Sequence, residues 1–332
     1  MIETEPAFYL VTIGNACCDI FVPPHEKPPL GGITYIPSLE IVPGGNGANT
    51  AITLERLGVR TALAGVLGDD VLGRHLQDFL RAERVDTTLL GLLAGRTSPA
   101  TLVLNDEKTG ERSFVHHPGT NADFALSETA LAAPCRAVHF AAPELLAGLW
   151  PDGAVAAARR LKAAGKTLTL DTFAVEDPAD PGGASLARAH EPFLALMDMV
   201  FPNESEARLV TGRTDLRGAA NRFHELGARV VAIKRGERGA LVSWDGRFEE
   251  VPAERVDAMD TCGAGDNFSA GFLAGWLAGW SPLDATRLGC ALGSLCVAHR
   301  GSTTGTEDPR RLKSVLDRFG LRGRLTARPG AL

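Results

Sequence analysis

Short runs dense in β-branched and other apolar residues recur along the chain, at 8–13, 61–66, 137–141, 167–171, 199–202, 230–235 and 240–244. Between them lie longer stretches rich in Ala, Leu and Arg with helical spacing: 48–57, 71–82, 153–164, 205–210, 216–226, 268–279, 282–298 and 309–319. This alternation predicts an α/β core, a mostly parallel central sheet flanked by helices, because parallel strands need crossover connections to bring the chain back. Two segments break the rhythm. One is the proline-rich 19–42; the other is 97–117, which alternates around Asp106-Glu107-Lys108-Thr109-Gly110 as a hairpin does. Both read as β pieces without a crossover helix, and a small sheet of that kind suits a lid over a site as well as an edge hairpin. The expected organisation is one domain over 1–320, with lid segments at about 16–42 and 97–118 and a tail at 321–332 that frays.

Composition narrows the function classes. Of 332 residues 45% are hydrophobic and 22% charged, ordinary usage for a globular chain with ample core. The net charge of -6 provides no basic stripe for phosphate neutralisation, so nucleic acid is not an expected partner. Met1 to Pro6 carry two glutamates where a secretory signal carries positive charge. The longest apolar stretch, thirteen residues at 268–280, is well short of the roughly 20 that span a bilayer. Six cysteines (Cys17, Cys18, Cys135, Cys262, Cys290, Cys296) form no CxxC pair and read as reduced thiols. A cytoplasmic protein is expected, with no membrane partner.

The most informative segment is Asp260-Thr261-Cys262-Gly263-Ala264-Gly265-Asp266. Gly263, Ala264 and Gly265 have almost no side chain and lead into a helix starting near Asp266, so backbone N–H groups at its N-terminus can converge on an anion. Asp266 would be held ionised by the same partial positive charge, where a substrate hydroxyl could meet the anion. Taken alone, the run also reads as a Gly-rich turn with Asp266 as an N-cap. A second segment, Pro43 to Ala51, packs Gly44, Gly45 and Gly47 with Asn46 and Asn49 ahead of a helix. Glycines there permit close backbone approach to a polyhydroxy ligand, and each asparagine offers donor and acceptor together; a helix-capping turn is the equal alternative.

These two segments resemble the two signatures of the ribokinase-like (PfkB) family of carbohydrate kinases. The first runs from Gly44 to Ala51 and on to Gly58 and Gly68; the second runs from Asp260 through Ser269-Ala270-Gly271-Phe272. Weaker similarity extends over about 8–319, so the resemblance covers nearly the whole chain. It implies a ribokinase-like fold with a β-sheet lid and an ATP- and Mg2+-dependent kinase that phosphorylates a hydroxyl of a small sugar. It also implies Asp266 as catalytic base and the N–H groups of Gly263, Ala264 and Gly265 as anion hole, the parts that phosphoryl transfer needs. Asn15, Asp19, Gly45, Asn46 and Asn49 would bind the substrate. Asn203 and Glu206 match the family's Asn-x-x-Glu motif, which organises Mg2+ through water, although without the family they read as an N-cap and its capping-box partner. Lys234, Gly236 and Gly239, in Lys234-Arg235-Gly236-Glu237-Arg238-Gly239, fall where relatives have a Thr/Lys-x-Gly-x-x-Gly turn beside the nucleotide.

Other signals are discounted. Gly165-Lys166-Thr167 mimics the end of a P-loop, but Arg160 stands where its first glycine belongs, so Gly165 reads as a helix C-cap. No G-x-G-x-x-G follows the first strand, which disfavours a dinucleotide dehydrogenase. His116, His117 and His139 lack metal-ligand spacing.

Three positions depart from the family pattern, and the first two bear on substrate. After Asp171 the chain reads Thr172-Phe173-Ala174 in place of the Asn and Arg many relatives carry, Asn46 stands where ribokinases and phosphofructokinase-like members usually have lysine, and Cys262 replaces a usual threonine. Without those cations an unphosphorylated sugar with a primary hydroxyl is the expected substrate. A nucleoside kinase of the same family is the alternative, followed by a non-catalytic sugar- or nucleotide-binding regulator. The loop 300–306 aligns loosely with a segment that completes a monovalent-cation site in some relatives, which leaves K+ activation open, and a homodimer through the lid is compatible with either kinase reading.

Overall fold

The computed structural model describes residues 10–25, 31–106, 112–180 and 182–319. The expected tail, and residues 8–9 of the first predicted strand, lie outside the described residues. In chain order the strands are β1 (Leu10–Gly14), β2 (Cys17–His25), β3 (Glu40–Gly44), β4 (Thr61–Gly68), β5 (Leu90–Leu93), β6 (Ala100–Asp106), β7 (Arg112–His117), β8 (Ala137–Ala141), β9 (Thr167–Asp171), β10 (Met199–Val200), β11 (Val230–Lys234), β12 (Ala240–Trp244) and β13 (Arg247–Val251). The helices are α1 (Asn46–Arg56), α2 (Val71–Ala82), α3 (Glu128–Leu131), α4 (Asp152–Ala163), α5 (Ala184–Leu194), α6 (Glu204–Thr211), α7 (Leu216–Leu226), α8 (Ala264–Leu277), α9 (Pro282–Val297) and α10 (Pro309–Arg318).

The large sheet has the order β13-β12-β11-β10-β9-β8-β1-β4-β5. From β5 to β11 every pairing is parallel; β12 and β13 close that edge as antiparallel strands. Strands buried on both faces need apolar side chains on both, which is why β1, β4 and β8 are buried along their whole length. Helices cover the two faces and create separate cores: Phe140, Phe193 and Phe223 lie in one, Phe201, Phe268 and Phe272 in another. Each fully buried phenylalanine contributes about 1.5–3 kcal/mol.

The small sheet has the order β3-β2-β6-β7 and contains both segments that broke the alternation. Within 97–117, β6 runs antiparallel to β7 as a hairpin requires, its turn at 107–111 lying outside the described residues; β2 pairs antiparallel with β3 and parallel with β6. Only Asn15 and Ala16 separate β1 from β2, so the small sheet rises from the carboxyl edge of the large one.

Several boundaries differ from expectation. The helix expected at 268–279 begins at Ala264, because Gly263 takes a left-handed conformation (φ 75°) and lets the helix start one residue later. The strand expected at 199–202 is only Met199–Val200, since Pro202 donates no ladder hydrogen bond and Asn203 already caps α6. Four elements, α3, α5, β5 and β13, have no counterpart in the sequence pattern: α3 is a single turn of four residues, α5 contains Pro192, β5 is a four-residue edge strand interrupted by Gly91, and β13 is an edge strand without an apolar run. Gly165 follows α4 with φ 74°, as a C-terminal cap does.

Candidate active site

In a parallel sheet the carboxyl ends of the strands share one edge, and ligands bind in the crevice outside it. Here that edge presents Asn15 after β1, Asp171 at the end of β9, Asn203 after β10 and Lys234 at the end of β11. The N-termini of α1, α6 and α8 open on the same edge.

Asp266 is the third residue of α8 and is 5% exposed. Asn46 Nδ2 donates to its Oδ1 at 2.9 Å and Asn49 Nδ2 to its Oδ2 at 2.8 Å. Burial, and then the charge of Asp171, push its pKa up to about 6, while the two amide hydrogen bonds and Lys234 restrain it. A carboxylate poised just below neutrality is the form a general base requires. Both asparagines expected to bind substrate are therefore also the groups that orient Asp266; Asn49 Oδ1, buried, has no hydrogen-bond partner among the described residues.

The turn before α8 is pinned from below. Gly263 lies so close to Ser302 that a Cβ at 263 would sit 2.6 Å from its backbone and side chain. Asp260 accepts from Cys262 N (2.8 Å) through one oxygen and from Gly301 N (2.9 Å) through the other. The first N–H groups of α8, around Ala264 and Gly265, have no intrahelical acceptor and form the positive end of the helix.

Lys234 reaches into this region. Its Nζ donates to Asp171 Oδ1 and lies 3.1 Å from where a Cβ on Gly265 would be. Burial alone would lower its pKa, but Asp171 and Glu206 hold it above the ordinary lysine value, so it is an ammonium beside the turn that opens α8. Asp171 also accepts from Ser269 Oγ at 2.8 Å.

Asn203 and Glu206 make the capping box that the bare sequence allowed: Glu206 N donates to Asn203 Oδ1 (2.9 Å) and Asn203 N to Glu206 Oε2 (2.8 Å). Thr172 Oγ1 adds a third bond, to the same Glu206 oxygen, at 2.9 Å. Burial foremost, with Asp171 adding to it, raises the Glu206 pKa to about 7. A buried carboxylate beside a second carboxylate is a hard oxygen donor that gains from a cation, which fits Mg2+. Among the described residues no group of three or more His, Cys, Asp or Glu could hold a metal, so the fit is to an ion that arrives with its own waters and phosphates.

The remaining predicted residues divide. Asn15 Oδ1 accepts from Asn46 N at 3.0 Å and its carbonyl accepts from Gly47 N, so it caps α1. Gly45 (φ 93°) is needed because its backbone presses on Asn15, and a Cβ there would meet the Asn15 carbonyl at 2.7 Å. The glycine expected to admit a ligand is first of all admitting its own chain. Asp19 stands on β2 with its carboxyl over Gly44 and a 3.4 Å bond from Cys17 Sγ; burial raises its pKa. Gly239 is likewise structural, a Cβ there overlapping Val251 O at 1.9 Å, whereas Gly236 faces open space. In the 300–306 loop the Thr303 carbonyl accepts from the Arg56 guanidinium. His139 is buried against Thr169, 2.8 Å from its hydroxyl. Sequence reasoning missed Asp171, Thr172 and Ser269 as members of the cluster; the one available signal was a carboxylate ending a buried strand.

Comparison with known proteins gives the family and the fold. The family model "pfkB family carbohydrate kinase" matches residues 7–309. A ribokinase of Haemophilus influenzae is 29% identical over 88% of this chain and 93% of its own, and a fructokinase of Klebsiella pneumoniae is 31% identical over 83% and 91%. Among solved structures, Arabidopsis thaliana ribokinase complexed with ribose and ATP superposes with a TM-score of 0.79, at 24% identity, over 93% of this chain and 99% of that one. The protein is a kinase, a phosphotransferase with an alcohol group as acceptor. It belongs to the pfkB family of carbohydrate kinases.

Proposed function

We propose that the protein transfers the γ-phosphoryl group of ATP to a primary hydroxyl of a small unphosphorylated sugar or sugar derivative. The observation that carries this reading is Asp266, fixed by Asn46 and Asn49 at the first turn of α8 with the Lys234 ammonium beside Gly265. Asp266 accepts the hydroxyl proton as the alcohol oxygen bonds to the γ-phosphorus, and the bond to the bridging oxygen breaks with its electrons leaving on ADP. The N–H groups of Gly263, Ala264 and Gly265 and the charge of Lys234 stabilise the transferring group.

Asn15, Asp19, Gly45, Asn46 and Asn49 line the sugar side of the site. The absence of a basic residue at 46 favours an acceptor without a phosphate of its own. Lys234, Gly236 and Gly239 border the nucleotide. Asn203 and Glu206 would hold magnesium through water; when bound, the ion neutralises phosphate charge. Six free cysteines accord with a reducing, cytoplasmic setting. Exposed Phe114 and Val115 on the edge strand β7 would carry the expected homodimer, which light scattering reads.

An ATP-consumption screen over free sugars, sugar acids, sugar phosphates and nucleosides tests the substrate class. Turnover with free sugars supports the reading; preference for nucleosides replaces it with a nucleoside kinase. Asp266→Asn is expected to lower kcat by about 10²–10⁴-fold with the fold intact, and near-normal turnover refutes the base.

A further inference from the structure

Four polar residues of α1 fall on one stripe of a mostly buried helix: Asn46, Asn49, Thr53 and Arg56, spaced three, four and three apart. The first two hold Asp266. Thr53 Oγ1 donates to Asn267 Oδ1 at 3.0 Å, and Asn267 Nδ2 donates in turn to the carbonyls of Gly263 (2.8 Å) and Ser302 (2.7 Å). Arg56 ends the stripe. Its guanidinium donates to both carboxylate oxygens of Glu83, at 2.8 and 2.6 Å, to Thr303 O at 2.5 Å and to Thr306 Oγ1 at 3.1 Å. The arginine side chain is 10% exposed, and both threonines are buried.

The segment that Arg56 grips is the floor of the phosphate turn, because Ser302 fills the space a Cβ on Gly263 would need. A shift of 302–306 has no compressible side chain to absorb it before it reaches Gly263. A planar guanidinium is well matched to such a brace, since Glu83 fixes its plane through two parallel bonds from Nε and Nη2 and leaves Nη1 aimed at the loop.

We infer that Arg56, oriented by Glu83, is a positioning residue for the phosphate turn: it holds 302–306 against Gly263 and so sets the 263–265 N–H groups at their distance from Asp266. One helix thereby registers the base and the anion hole against each other. The inference rests on the reading of Asp266 and that turn given above.

Arg56→Lys keeps the charge and loses the fork, and Glu83→Gln loosens the fork while leaving the arginine; both are compared with the wild-type protein. In each, kcat is expected to fall about 10–100-fold, as for a sub-ångström misplacement of reacting groups, while KM for the alcohol stays near its original value. Hydrogen exchange at the 263–267 amides is expected to quicken, with β8 and β9 unchanged. Folded variants with unaltered kcat and unaltered exchange at 263–267 would overturn the inference, as would a loss of activity matching only the fraction unfolded. If the wild-type protein phosphorylates no sugar or nucleoside, the kinase reading falls, and the exchange measurement still decides whether Arg56 braces the turn.

Discussion

Asn49 on α1 donates a 2.8 Å hydrogen bond to Oδ2 of Asp266, a residue 217 positions further along the chain on α8. The bond opposes the burial that lifts the Asp266 pKa to about 6. Asn49→Ala removes that opposition, so the pKa rises further. The proposed base Asp266 works deprotonated, so kcat/KM is expected to climb with pH through this value, and the acid limb of the variant's profile to lie at higher pH than that of the wild type. A pH series spanning the acid limb and neutrality reads the shift; an unmoved limb means that Asp266 does not govern the profile.

Lys234 and Asp171 form a pair that should not be separable. Lys234→Met leaves a buried carboxylate without its cation, a change that typically destabilises by about 3–5 kcal/mol. Adding Asp171→Leu removes the stranded charge and is expected to restore most of the thermal stability without restoring phosphoryl transfer, which falls by about 10²–10³-fold with loss of a preorganised cation. Thermal unfolding of the two single variants and the double variant measures the coupling. Additive effects would show that the two groups do not act as a pair. Because the Lys234 pKa is raised above its unfolded value, its contribution is complete throughout the neutral range and is lost only as pH rises through that raised value.

Glu206→Gln separates the capping role of that residue from the magnesium role proposed for it. Glutamine at the third helical position keeps the capping box, so α6 and the unfolding temperature are expected to persist. The charge is gone, however, and the Mg2+ concentration for half-maximal rate is expected to rise about 10–100-fold. In the wild type that requirement should also rise as pH falls below about 7, where Glu206 takes up its proton. In the variant it should be independent of pH. Magnesium titrations on either side of that pKa check both, and identical curves for the two proteins would leave Glu206 as a cap only.

How much could be read in advance depended on whether a residue acts locally. Asn203 and Glu206 sit one helical turn apart, and their capping box needs nothing beyond that turn. Arg56 shows the opposite. On the sequence it is the last-turn arginine of a helix, indistinguishable from a solvated basic residue, and its partners Glu83 and Thr303 come from the end of a second helix and a distant loop. Asp171 was legible as the end of a strand but not as the acceptor for Lys234 and Ser269, because those pairings exist only once β9, β11 and α8 meet at one edge.

The sequence by itself determined the alternation of strand and helix, the two segments outside that alternation, and the two glycine-rich runs that mark the kinase family, since periodicity and local turn chemistry are written in neighbouring residues. Tertiary structure alone decided which groups confront Asp266. Parallel strands bring their carboxyl ends to a common edge, and only there do two asparagines, a lysine and a second carboxylate meet Asp266. Asn46 stands 220 positions from Asp266 along the chain, and folding alone brings such groups close enough for burial and charge to set one another's protonation.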